Sequence, residues 1–185
     1  MIDNKPRITS GSAKGKRLEV PKIDGAKSAR DVVKLAIFSI LGEKGVGAKC
    51  LDLYAGSGSF GLEALSRGAE SCDFVDDNKI AAQTILKNTN SCGFIEQATV
   101  YTQDAIKFVC NTDDRYDIIF IDPFYKEGAH RFLFQNLAEI MNEKAVIVFS
   151  HPADTNTESL IEKTPLKVHT QRKFGNAVFT IFCMQ

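Results

Sequence analysis

From residue 50 onward, apolar strand-like runs alternate with helix-like runs, and this alternation constrains the fold more than any other feature of the chain. Residues 50–54, 71–76, 98–102, 116–121 and 145–149 read as strands. Between them, residues 59–67, 78–91, 104–110 and 129–141 read as helices. The run Tyr116-Asp117-Ile118-Ile119-Phe120-Ile121 has the apolar density of a strand covered on both faces. Near the end, a short helix at 157–161 precedes two strands, 166–174 and 177–182, joined at Gly175-Asn176 as an antiparallel hairpin. Strands alternating with helices predict an α/β fold built on a mostly parallel, doubly wound sheet. No internal repeat or low-complexity segment interrupts it.

Upstream of that unit the pattern changes. Residues 7–9 and 17–20 flank the turn Gly11-Ser12-Ala13-Lys14-Gly15, which suggests a small basic β-hairpin ended by Pro21. Apolar residues at helical spacing from Val32 to Leu41, with Asp31 in the first turn and Gly42 as a stop, predict one helix leading into the main unit. The expected organisation is therefore a basic extension over residues 1–30 and one main domain over 31–185. A chain of 185 residues has room for one such domain with small appendages.

In a doubly wound sheet, ligands bind beyond the carboxyl ends of the strands. After the first strand comes Asp52-Leu53-Tyr54-Ala55-Gly56-Ser57-Gly58-Ser59-Phe60-Gly61. Its glycines permit a tight turn and close backbone approach, and the following helix offers unpaired N–H groups. Gly56-x-Gly58-x-x-Gly61 alone is shared by many dinucleotide folds and also serves as a plain strand-to-helix turn. Asp52 sharpens it, because a carboxylate inside a strand needs loop N–H groups or a ligand cation as partners.

The second strand ends in Phe74-Val75-Asp76, where Asp76 can accept hydrogen bonds from two hydroxyls; Asp77 beside it reads as a cap or surface charge. Asp104 follows the third strand and is equally well a helix N-cap and a polar contact to a ligand. The fourth strand ends in Asp122-Pro123-Phe124-Tyr125, the most specific feature of the chain. A proline has no N–H and a fixed φ, so the Asp122 carboxylate and the Pro123 carbonyl can face one point as two acceptors. Two acceptors suit an exocyclic amine, and an adjacent aromatic ring can stack on a flat base. The plain alternative is a strand-ending turn, for which Asp-Pro is common.

The acidic-x-x-x-Gly-x-Gly spacing resembles motif I of class I S-adenosylmethionine-dependent methyltransferases, and Asp122-Pro123-Phe124-Tyr125 resembles the [Asp/Asn]-Pro-Pro-[Tyr/Phe] motif of those that modify planar amino nitrogens. Taken over nearly its whole length, the chain resembles the bacterial 16S rRNA guanine-N2 methyltransferase family. The matching runs include Ile8-x-x-Gly11-x-x-x-Gly15-x-x-Leu18, Ile37-Phe38-Ser39-Ile40-Leu41, Gly61-Leu62-Glu63-Ala64-Leu65-Ser66-Arg67-Gly68-Ala69 and Lys173-Phe174-Gly175. The resemblance implies a Rossmann-like sheet of seven strands and S-adenosylmethionine as cofactor. It implies that Asp52, Tyr54, Gly56, Gly58, Asp76 and Asp104 bind the cofactor, with Asp122, Pro123, Phe124 and Tyr125 around the target amine. Two departures stand out. Phe124 replaces a usual second proline, and Lys27-Ser28-Ala29 with Asp31-Val32-Val33-Lys34 replaces an Arg-Pro-Thr segment and an arginine-bearing helix start. Lys27, Arg30 and Lys34 are the candidates to substitute for those contacts.

Rival readings remain at this level. One is an amino-methyltransferase for adenine N6 or a protein glutamine. Another is a nicotinamide-dependent oxidoreductase using the glycine loop and Asp76, although it leaves Asp52 unexplained. The last is an RNA-binding module without catalysis.

Charge bears on the partner. Lys plus Arg equals Asp plus Glu at 23 each, which argues superficially against a polyanion. The total hides a segregation: residues 1–34 hold nine Lys/Arg against four acids, and the rest of the chain carries the opposite excess. Such an end can bind phosphates despite zero net charge. Arg7, Lys14, Lys16, Arg17, Lys27, Arg30 and Lys34 are therefore the expected rRNA contacts, with a solvated basic hairpin as the plain alternative. Five cysteines with no C-x-x-C pair, and three histidines without ligand spacing, point to neither a disulfide framework nor a metal site. No apolar stretch approaches the roughly 20 residues of a membrane span, and the polar N-terminus lacks a signal-peptide core, so a cytoplasmic location is expected.

Overall fold

Alternating strands and helices assemble into one seven-stranded sheet in a computed structural model that describes residues 5–23, 31–123, 131–175 and 177–185. In chain order the elements are α1 (Asp31–Leu41), β1 (Lys49–Leu53), α2 (Ser59–Ser66), β2 (Ser71–Asp76), α3 (Lys79–Cys92), β3 (Ala98–Thr102) and α4 (Ala105–Val109). They continue with β4 (Tyr116–Ile121), α5 (Arg131–Glu139), β5 (Met141–Pro152), α6 (Thr157–Ile161), β6 (Leu166–Phe174) and β7 (Ala177–Met184). The strand order is β3-β2-β1-β4-β5-β7-β6. The first five strands in that order pair in parallel, and β7 runs antiparallel between β5 and β6. This is the expected sheet with its terminal hairpin.

Period-two alternation splits the apolar side chains between the two faces. On one face Cys50, Cys72, Phe74, Ile118 and Phe120 pack with α1, α2 and the N-terminal residues Ile8, Ala13 and Leu18. On the other, Leu51, Leu53, Val75, Ile119 and Ile121 pack with α4 and α5. The centre of the sheet is covered on both faces, which is why β4 is almost uniformly apolar. Phe120 anchors the first face, stacked on Phe60 at 5.4 Å and tilted against Phe38 at 5.7 Å.

The N-terminal segment forms the expected small hairpin, with an antiparallel bridge between Arg7 and Arg17 and main-chain bonds from Ile8 N–H to the Lys16 carbonyl, Gly15 N–H to the Ile8 carbonyl and Leu18 N–H to the Pro6 carbonyl. Its Thr9 and Ser10 N–H groups donate to the Glu63 carboxylate at 2.8 and 3.1 Å. Ser12 N–H donates to the Ser66 carbonyl at 2.8 Å and Ala13 N–H to the Ser66 hydroxyl at 3.0 Å, so the turn lies on the end of α2. Gly11 is indispensable there. Its φ is +85°, and a Cβ would sit 1.6 Å from the Ser66 carbonyl oxygen. The extension thus shares its core with the unit that follows it.

β5 begins at Met141, earlier than the apolar run at 145, because Met141 pairs with Tyr116 across an irregularity in the β4–β5 ladder. Among the described residues no helix is long and apolar enough to cross a membrane.

Candidate active site

The carboxyl ends of β1, β2 and β4 bring the sequence-predicted acids to one rim of the sheet. Asp52 and Asp76 share the face of β1 and β2 that carries Cys50 and Phe74, and that face packs on α2. Phe120 pairs with Asp52 across β1 and β4, and Asp122 lies two residues beyond it, continuing the same alternation.

Asp52 is buried, and its Oδ2 accepts the Gly61 N–H at 2.9 Å. That N–H lies in the first turn of α2, whose N-cap is Gly58 at φ +74° and has no side chain to offer. Asp52 therefore caps α2 from the neighbouring strand. The contact requires a close approach of helix and sheet. A Cβ on Gly61 would fall 2.4 Å from the Phe74 ring and 2.5 Å from the Cys72 sulfur.

Asp76 holds the other side of the loop. Its Oδ2 accepts the Gly56 N–H at 2.9 Å and its Oδ1 the Asn78 N–H at 3.0 Å, leaving lone pairs on both oxygens. Tyr54 makes the turn out of β1 at φ +57°. Asp104, exposed at the end of β3, accepts the Lys107 N–H at 2.8 Å and so is the N-cap of α4. Asp122 and Pro123 follow β4 and are partly buried. Phe124 and Tyr125 lie outside the described residues.

The electrostatics of this rim are unusual. Burial raises the pKa of Asp52 well above the ordinary carboxylate range, and the charges of Asp122 and Asp76 push it the same way against the Gly61 hydrogen bond. Burial also raises Asp76, opposed by its backbone hydrogen bonds. Asp122 is pushed up to about 6 by burial, with the Ser150 hydroxyl pulling the other way. Among the described residues, the Gly61 N–H, Asp122 and Asp76 act on Asp52, two backbone N–H groups and Asp77 act on Asp76, and the Ser150 hydroxyl acts on Asp122, with no cation among these principal groups. A bound cation would relieve that repulsion.

Two further observations fit a ligand in this cradle. The Ser59 hydroxyl, at the first position of α2, is buried with no hydrogen-bond partner. Beside it, the Cβ direction of Gly56 is open, its nearest neighbour being the Tyr54 carbonyl at 3.9 Å, so a molecule can lie directly on that backbone.

A family model described as "Conserved hypothetical protein 95" matches residues 6–183. The chain belongs to this family. A Bacillus subtilis (strain 168) relative named "Putative rRNA methyltransferase YlbH" is 37% identical over 150 residues, which cover 78% of this chain and 82% of the relative. "Ribosomal RNA small subunit methyltransferase D" of Escherichia coli (strain K12) is 35% identical over 124 residues, 66% of this chain and 61% of that protein. Among solved structures, "Putative methyltransferase yhhF from Escherichia coli" superposes with a TM-score of 0.84 at 24% identity, covering 98% of both chains. Thermus protein TTHA0928 superposes with a TM-score of 0.79 at 25% identity, covering 95% of this chain and 97% of its own. Family and fold agree on a class I methyltransferase, which sets aside the oxidoreductase alternative.

The predicted phosphate contacts divide. Arg7, Lys14, Lys16 and Arg17 are exposed around the N-terminal turn, with Arg7 Nε donating to Asp31 at 2.6 Å. Lys27 and Arg30 lie outside the described residues. Lys34 is a correction. It is fully buried, its ammonium donates to the Arg7 carbonyl and it lies 3.4 Å from the Glu63 carboxylate, so it cannot reach RNA. Its pKa is lowered, with burial outweighing the attraction of Glu63 and Asp31.

Three contributors escaped the sequence reading. Glu63 and Ser66 appear only as members of a family-like run, yet they hold the N-terminal segment. Ser150, which steadies Asp122, could have been found as a polar residue closing the apolar run of β5 beside β4.

Proposed function

We propose that the chain transfers a methyl group from S-adenosylmethionine to the N2 amine of a guanine in 16S rRNA. The observation that carries this reading is the rim of three acids beside the glycine loop, on which no cation is a principal influence among the described residues. A ligand bearing an ammonium and a sulfonium complements it, whereas a dinucleotide pyrophosphate would add negative charge. Names of relatives that specify rRNA support the substrate class.

Bound there, S-adenosylmethionine supplies a methyl group on an electron-deficient sulfur. Asp52 sets the loop by capping α2; Gly56, whose Cβ direction is open, would take the cofactor against its backbone together with Tyr54, and Gly58 would start the helix that carries the loop. Asp76 uses its remaining lone pairs for the ribose hydroxyls, and Asp104 uses its second oxygen toward the adenine amine. Ser59 donates its otherwise unpaired hydroxyl to the same ligand.

Guanine N2 is a poor nucleophile because its lone pair is delocalised into the ring. Asp122 and the Pro123 carbonyl accept its two N–H bonds, which localises electron density on nitrogen and aims it in line with the methyl–sulfur bond. As the nitrogen–carbon bond forms and the carbon–sulfur bond breaks, one N–H proton passes to Asp122 or to water. Phe124 and Tyr125 supply the stacking surface for the base. The base must leave its stack to enter, so an unpaired or splayed nucleotide is the natural substrate. Arg7, Lys14, Lys16 and Arg17 hold the flanking phosphates, within an assembling small subunit in the cytoplasm.

Asp122→Ala tests the assignment. The variant is expected to bind S-adenosylhomocysteine like the wild type and to lose at least about 100-fold in methyl transfer to 16S rRNA, in keeping with loss of a positioned acid–base group. Full transfer by this variant would sink the reading. Mapping the modified base in rRNA from a deletion strain separates guanine N2 from adenine N6.

A further inference from the structure

Asn88 lies in α3, 1% exposed, and its side-chain amide makes three hydrogen bonds to the main chain of two distant segments. Its Nδ2 donates to the Glu19 carbonyl and to the Ser57 carbonyl, both at 2.9 Å, and its Oδ1 accepts the Glu19 N–H at 2.8 Å. Glu19 follows the basic turn, one residue after the buried Leu18 and two after Arg17. Ser57 is the middle of the glycine loop, between Gly56 on Asp76 and Gly58 at the start of α2.

We propose that Asn88 is a positioning residue that couples the basic N-terminal segment to the cofactor loop, so that RNA on the segment and cofactor on the loop tighten each other's binding. The inference rests on the methyl-transfer reading above and extends it to how the two substrates communicate.

The geometry explains why an amide stands here. Ser57 stands between two glycines at φ +55° and +74°, so the bond from Asn88 to its carbonyl helps fix the path of the loop. The two N–H groups of an amide are coplanar, and each has its own carbonyl. Displacing Glu19 turns the plane and misaligns the bond to Ser57, and displacing Ser57 does the reverse. Because the group is buried, a bond lost on either side is not replaced by water. Ordering one segment therefore lowers the cost of ordering the other, and the coupling must be reciprocal.

The full-length wild-type chain provides the first test. Calorimetric titration with S-adenosylhomocysteine, alone and with saturating 16S rRNA, is expected to show affinity higher by about fivefold or more with RNA present. RNA affinity should rise by the same factor with the cofactor product bound. In Asn88→Leu, near-isosteric and without polar atoms, that factor falls toward one. Asn88→Asp keeps an acceptor for the Glu19 N–H but loses both donors, and it should lose the coupling as well. If neither variant folds, hydrogen exchange on the wild type decides: S-adenosylhomocysteine alone should slow exchange of the Glu19 amide. Wild type binding both ligands with a factor of one, variants that keep the coupling, or Glu19 exchange untouched by the ligand would each overturn the proposal. A wild-type chain that binds no S-adenosylhomocysteine overturns the methyl-transfer reading itself, and this inference with it.

Discussion

The chain treats in opposite ways one buried acid on the back of α2 and three acids in front of that helix. Behind its middle and last turns, Glu63 is fully buried and fully served. It accepts from Thr9 N–H, the Thr9 hydroxyl at 2.6 Å and Ser10 N–H, and it is paired with Arg67 at 2.8 Å and Lys34 at 3.4 Å. Arg67 in turn lies over the Phe38 ring at 4.8 Å and donates to the Thr9 hydroxyl at 3.0 Å. In front of the helix, the charges of Asp76 and Asp122 both act on Asp52, and among the described residues no cation is a principal influence on the three. Burying a charge is tolerable when its partner is built in. Where the partner is left out, the protein has placed charge for something else to neutralise. The contrast separates an acid that holds the fold from acids that hold a ligand.

The largest effect is expected where the comparison is most lopsided. Glu63→Ala leaves the Lys34 ammonium buried without its carboxylate and strips Thr9 and Ser10 of their acceptor. A loss of about 3–5 kcal/mol of folding stability is expected, read from denaturant unfolding. Asp52→Asn should act in the opposite sense. The amide oxygen can still accept the Gly61 N–H, and removing a penalised charge should leave the unliganded protein at least as stable at neutral pH. Affinity for S-adenosylhomocysteine should nevertheless fall about tenfold. An Asp52→Asn protein as destabilised as Glu63→Ala would break the distinction.

Asp122 adds a pH test of the same idea. Its pKa is raised to about 6 in the folded state, so the native protein binds this proton more tightly than the unfolded chain does. The stability it contributes is fully present below the ordinary carboxylate pKa of about 4 and is lost as pH rises through about 6. Transfer needs the ionised form. Under single-turnover conditions the rate should fall about tenfold per pH unit below 6 and level off above it. A rate flat from pH 5 to 8 would remove Asp122 from the chemistry. The smallest change concerns the exposed basic turn. Replacing Lys14, Lys16 and Arg17 with Gln should flatten the slope of log affinity against log salt by about 2 for single-stranded RNA and spare cofactor affinity. An unchanged salt slope would return the turn to a solvated surface.

Much of the front of this arrangement was legible before any coordinates. β4 begins and ends where its apolar run does, because a strand buried on both faces writes itself as a nearly continuous run. Asp52 was legible for the converse reason, as a carboxylate in a place meant for packing. The back of α2 was not. Lys34 reads locally as one more surface charge on a helix, and only the fold delivers Glu63 to it. The docking of the N-terminal hairpin was hidden for the same reason, since the side chain that takes its Thr9 and Ser10 N–H groups lies more than fifty residues away. Asn88 carries no local signature either, its partners being separated from it by 69 and 31 residues. Short-range patterns announce elements and strand-end acids; long-range polar straps are visible only once the chain is closed.

α2 spans only eight residues, about 12 Å of helix, yet it carries Glu63 on one side and takes its cap from Asp52 at its start. Such an element behaves as a calibrated spacer. Adding a single residue between Gly61 and Glu63 would turn everything beyond it by about 100°, carrying Glu63 and Ser66 away from the segment they grip while Gly61 stayed under Phe74. Length here is thus as tightly specified as residue type. Loops elsewhere can lengthen at little cost, whereas this stretch sets how far the phosphate-facing end of the molecule stands from the atom that receives the methyl group.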